Sequence, residues 1–232
     1  MTPVQVSSPG HFNGSLSTSV TLTGVTANNH IVVAVSHGDL GGSSPTISVS
    51  DGQGSYSSDL VVNSGGAATS ALFRLTAVNA GSHTITATAS SGSPSNSEGA
   101  IVAFEVLPVA VDQTSTNGGN NATPSVAATS SLANISELAF AVIWHGALNS
   151  GGGTFPPTGG TGTYTEISGI KSDNADVNYQ TLTSTAGAGA NWGTLTFSSK
   201  WAALVAVYKP VAAAYVPYAP MALGGMVVQV CQ

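Results

Sequence analysis

Leu138 to Gly153 read LAFAVIWHGALNSGGG, and His30 to Gly42 read HIVVAVSHGDLGG; His37 recurs as His145, 108 positions further on. Each stretch is a short apolar run, then His-Gly, then a glycine-rich exit. A run of this length bounded by turn residues reads as a buried strand rather than a helix. The match extends outward on both sides. Asn29 to Leu40 aligns with Glu137 to Leu148, HTITATAS with GTLTFSS, GAIVAFEV with AALVAVYK, and the opening strands VQVSS with VDQTS. An order kept across two copies indicates tandem duplication, and two copies are too few for a solenoid.

Strand signals recur at short intervals through the first copy: SVTLTGV, NHIVVAVSHG, PTISVSD, SSDLVVNSG, SALFRLTA, SHTITATAS and GAIVAFEVLP. In HTITATAS, Ile85, Ala87 and Ala89 share one face and Thr84, Thr86 and Thr88 the other, the alternation of a half-buried antiparallel strand. No window carries apolar residues at helical spacing, so no long helix is expected. The expected fold is all-β: two tandem antiparallel β-sandwich domains, residues 1–108 and 109–210, followed by an extended apolar arm, residues 211–232. One larger sandwich built from both copies is the alternative. Jelly-roll, Greek-key and immunoglobulin-like topologies all remain open, since the Cys, Trp, Cys pattern of antibody domains is absent. The apolar runs are expected to be central strands and the His-Gly exits to be rim loops.

Composition narrows the function classes. With 42% hydrophobic residues the 232-residue chain can bury a core, yet only 6% of residues are charged, against roughly a quarter in an average domain. Four basic residues and a net charge of −6 oppose binding to nucleic acid. No apolar run is long enough to span a membrane as a helix. The opening MTPVQVSSPGHFNG carries neither the basic nor the apolar part of a secretory signal, so a chain that stays in the cell making it, or one whose signal has been removed, is expected. The single cysteine, Cys231, rules out an internal disulfide framework and a clustered-cysteine zinc site.

The strand pair TLTGVTANNHIVVAVSHG, the turn TISVSDGQGSY, the strand GSHTITAT and the last strand WAALVAVYKP resemble duplicated β-sandwich structural proteins of bacteria and of tailed-phage virions. The resemblance spans residues 4 to 210 and implies fold and a structural role, with no catalytic residues to carry over.

His37 and His145 suggest a metal pair, but neither has a neighbouring ligand at metal-site spacing, and duplication alone accounts for both. Asp51 in DGQGS resembles a fragment of a calcium loop and reads better as a tight turn. There is no G-x-S-x-G, no H-E-x-x-H and no phosphate loop, so the expectation is a non-enzyme with no cofactor and no metal. A glycan platform is the rival: Trp144, His145, Tyr164 and Trp192 sit in the second copy near the loop FPPTGGTGTY, and Trp201 with them, either as exposed stacking rings or as core. Asn13, Asn121 and Asn134 head glycosylation sequons, relevant only to a secreted protein.

The arm is the largest departure from the repeat. Its Tyr215, Tyr218, Met221, Met226, Val227, Val228, Val230 and Cys231 form a charge-free segment expected to cover something, either its own second domain or a neighbouring subunit. Cys231 at its end is then placed for an intermolecular disulfide or is a free thiol. These features point to a structural subunit of a tailed-phage virion, a capsid decoration, tail-associated or fibre protein, made in the host cytoplasm, partnered by itself and by other virion proteins. A secreted or cell-surface adhesive module, binding glycans or polymerised into a fibre, is the alternative.

Overall fold

A computed structural model describes residues 1–39, 45–90, 92–148 and 151–211. The described chain is antiparallel β-structure joined by turns, with short 3-10 turns and no α-helix among these residues. The first half carries β1 (Gln5–Val6), β2 (Gly10–His11), β3 (Ser17–Val25), β4 (His30–Asp39), β5 (Ile47–Ser50), β6 (Ser57–Ser64), β7 (Ala68–Leu75), β8 (Gly81–Ala89) and β9 (Ser97–Val106). The second carries β10 (Val109–Asn121), β11 (Ser125–Val126), β12 (Leu138–His145), β13 (Thr165–Glu166), β14 (Ala175–Thr181), β15 (Ala190–Asn191) and β16 (Ser199–Pro210).

Four sheets result, and each draws its strands from one half. The larger sheet of the first half runs β1-β9-β4-β7-β6, with β2 also on β9, and its smaller sheet runs β3-β8-β5. The larger sheet of the second half runs β10-β16-β12-β14-β13, the same order in chain terms, and its smaller sheet is β11-β15.

The sheets stack in four layers with three apolar interiors. Inside the first half, Phe12, Val33, Val35, Ile85 and Ile101 pack between its two sheets. Inside the second, Ile143, Trp192, Trp201 and Val205 do the same. The third interior lies between the two larger sheets, where Val32, Leu72, Val102 and Phe104 meet Phe140, Val142, Leu204 and Tyr208. Phe104 and Phe140 stand 4.8 Å apart at 58°.

This middle core explains why HIVVAVS and LAFAVIW lack alternation. Every residue of β4 and of β12 is buried, because each larger sheet is covered on one face by its own smaller sheet and on the other by the opposite half. An antiparallel sheet covered on both faces loses the polar-out half of its pattern.

Polar groups lock the seam. Ser36 Oγ donates to Ile143 O at 2.7 Å and Ser70 Oγ to Ala202 O at 2.8 Å, both buried. Tyr208 Oη donates to Asp59 Oδ2 at 2.9 Å, and the Arg74 guanidinium holds the same carboxylate at 3.0 Å. At the far side His11 Nδ1 lies 2.5 Å from Asp173 Oδ2.

Two expectations are corrected. His37 and Gly38 lie inside β4, paired with Gly99 and Glu98 on β9, rather than in a rim loop. GTLTFSS forms no strand of its own: its last residue, Ser199, opens β16, and Leu195 makes only an isolated bridge, to Gly152. In the second half the smaller sheet shrinks to two short strands, and glycine-rich turns close the layer that β8 closes in the first.

Candidate assembly surface

Any chemistry would begin at the buried polar clusters. His37 Nε2 lies 2.7 Å from Ser97 Oγ, a serine–histidine contact. The Ser97 hydroxyl, however, donates to Ser15 O at 2.8 Å. A hydroxyl has one proton, so His37 is the donor, in its Nε2–H form. Burial pushes His37 down to about 4, which keeps the ring neutral. The serine proton points away from the imidazole, so the pair is wired as a structural hydrogen bond.

His145 is equivalent in sequence but bonded differently. Its Nε2 donates to Asn121 O at 3.0 Å and its Nδ1 accepts from Ala147 N at 3.0 Å. Both ring nitrogens are occupied, leaving no lone pair for a ligand.

Asp51 is the centre of the DGQGS turn. Its Oδ1 accepts from the backbone N–H of Gln53 and Gly54, at 2.8 and 3.1 Å. Its Oδ2 takes the Tyr56 hydroxyl at 3.2 Å and His83 Nδ1 at 2.7 Å. Burial alone would raise this carboxyl, but the bonds from His83, Gln53 and Tyr56 outweigh it and hold the group below its ordinary range.

The tryptophans are core residues. Trp144, Trp192 and His145 are fully buried, with Tyr164 and Trp201 nearly so. Trp144 faces the first half, packed with Ala68 and Ala202, whereas Tyr164, Trp192 and Trp201 lie on the other face of that sheet. The two sides of one sheet cannot present a common stacking surface, and no ring face among them reaches solvent.

Beside Trp192 lies a group that the apolar-run reading passes over. In ADVNYQT, Ala175, Val177 and Tyr179 face the seam, while Asp176, Asn178 and Gln180 are buried on the opposite face. Asp176 Oδ2 accepts from Trp192 Nε1 at 2.7 Å and from Asn178 Nδ2 at 2.6 Å. Asp176 Oδ1 and Asn178 Oδ1 have no hydrogen-bond partner among the described residues. Desolvation dominates and pushes Asp176 up to about 6.

A different kind of site lies at one end of the molecule. Met1, Pro3, Val4, Leu107, Ile135 and Pro210 line an open apolar groove of about 510 Å³. Val4 is 52% exposed, Leu107 53% and Ile135 62%, so apolar carbon faces water where the core offers it no cover. The walls are fixed. Met1 N donates to Ser136 O at 2.7 Å and Thr181 Oγ1 to Met1 O at 2.5 Å, which joins the beginning of the first half to the second. The chain leaves β16 at Pro210, on this rim. The arm residues Tyr215, Tyr218, Met221, Met226, Val227, Val228, Val230 and Cys231 lie outside the described residues.

Comparison with family models, with curated proteins and with solved structures finds no match.

Proposed function

We propose that the protein is a non-enzymatic structural subunit that works through contacts with copies of itself and with neighbouring proteins, and that the assembly is a tailed-phage virion. The observation that carries the contact reading is the exposed apolar groove of Val4, Leu107, Ile135 and Pro210, placed where a charge-free arm begins. The virion reading is supported by the resemblance of residues 4 to 210 to duplicated phage and bacterial β-sandwich proteins. Tandem duplication is part of the same proposal, supported by the recurrence of His37 as His145 and by the strand order that the two larger sheets share. Many weak copies of one contact, held in an array, add to strong attachment without chemistry.

Light scattering at several concentrations, on the full chain and on a chain ending at Val211, tests the contact reading. The full chain is expected to assemble and the shortened one to be monomeric; two monomers overturn it. An antibody to the chain is expected to label particles released by lysis of its source, and recovery only as free protein overturns the virion half.

A further inference from the structure

The groove and the arm meet at one point. Pro210 lines the groove, and Val211 N donates to Pro108 O at 2.9 Å, so the described chain ends at the rim. Of the six large apolar side chains most exposed among the described residues, Val4, Leu107, Ile135 and Val211 gather at this end. Residues 212–232 carry no charged side chain and hold two tyrosines, two methionines and the run MVVQV. Surface and segment are apolar alike, and each is costly to leave in water.

We infer that the groove receives apolar side chains from the segment 212–232 of a second copy of this chain, exchanged reciprocally between two molecules that face each other by this end. The inference rests on the contact reading above and names its acceptor surface. Because the arm leaves from the rim of its own groove, a two-fold pairing of these ends sets each arm beside the partner's groove, and the contact closes as a dimer instead of running on as a filament. The reach of the segment allows the exchange. The first aromatic anchor, Tyr215, is four residues past Val211, about 13 Å of extended chain, and Tyr218 is about 23 Å away.

Disulfide trapping in the full chain tests this, since Cys231 is the only native thiol. On a Cys231→Ser background, one variant carries Thr2→Cys on the groove wall and another carries Ala219→Cys in the arm; neither change removes an apolar anchor. Mixed and mildly oxidised, they are expected to give a crosslinked heterodimer at least tenfold faster than Ala219→Cys mixed with Phe197→Cys, a control thiol at an exposed residue. A rate no greater than the control overturns the inference. So does a monomeric internal disulfide in the protein carrying both Thr2→Cys and Ala219→Cys, which would mean the arm folds back on its own groove. Light scattering of the same samples separates the two failures: an assembled chain without the groove crosslink removes this acceptor and keeps the contact reading, whereas a monomer without it removes both.

Discussion

Gly38 and Trp144 touch across the seam: a Cβ built on Gly38 would fall 2.0 Å from Trp144 Cε2 and Cζ2. Gly38 therefore answers to packing: it makes room in the first half for a ring from the second. Gly38→Ala is expected to cost at least 1–3 kcal/mol, about the penalty for overpacking a filled core, read as a lower urea midpoint with an unchanged slope. Adding Trp144→Phe is expected to recover part of that loss, since the two residues contact and their effects should not add. A fully additive double mutant would show that the clash is relieved by backbone movement instead.

The shared middle core predicts how the protein unfolds. Trp144, Trp192 and Trp201 all lie in the second half, so fluorescence reports that half, while circular dichroism reports every sheet. With Phe104 and Val102 packed against Phe140 and Val142, neither half can expose its seam face without cost. The two probes are expected to give one coincident transition. A dichroism change persisting beyond the end of the fluorescence change would mean that the first half stands alone.

The first-half strands were legible because their periodicity is local: Ile85, Ala87 and Ala89 turn inward as their alternation with threonine requires. The unbroken apolar runs of β4 and β12 signalled two covered faces, but nothing local says what covers the second. Asp176, Asn178 and Gln180 misdirect for the same reason, since alternation normally marks a wet face and here both faces are dry. A tryptophan beside polar loops reads alike inside or out, so burial of Trp144 and Trp192 needed the fold. The groove was illegible: Val4, Leu107 and Ile135 are isolated in sequence and meet only because the two halves share a seam. The arm that we propose fills it was legible from composition alone.

Asp51 ties a turn to a buried histidine, and acid should loosen it. Its carboxyl sits below the usual range when folded, against about 3.9 in the unfolded chain. The stabilisation is therefore complete above about pH 4 and is lost as pH falls through the lower folded value. Asp51→Ala is expected to cost about 3 kcal/mol or more at pH 7, because it strands the partnered groups of His83 and Tyr56, and to flatten the loss of stability between about pH 5 and 2. Glu105 and Asp112 are shifted down too, so some acid sensitivity should persist. An Asp51→Ala chain with the same acid slope as the parent would rule Asp51 out as a contributor.

Asp176 should act in the opposite sense. Burial raises its carboxyl to about 6, so the folded state favours the protonated form. Its contribution to stability is therefore greatest below about pH 3.9 and is lost as pH rises through about 6. A rise of about two pH units corresponds to about 3 kcal/mol. Asp176→Asn keeps an oxygen for Trp192 Nε1 and Asn178 Nδ2 while removing the charge. The variant is expected to be more stable than the parent at pH 8, by up to about that amount, with the gap closing toward pH 4. Urea midpoints at pH 4, 6 and 8 measure it. A variant less stable than the parent at pH 8, or a gap that does not change with pH, would mean that the carboxylate is held charged inside the second half, and desolvation would not be the force that governs it.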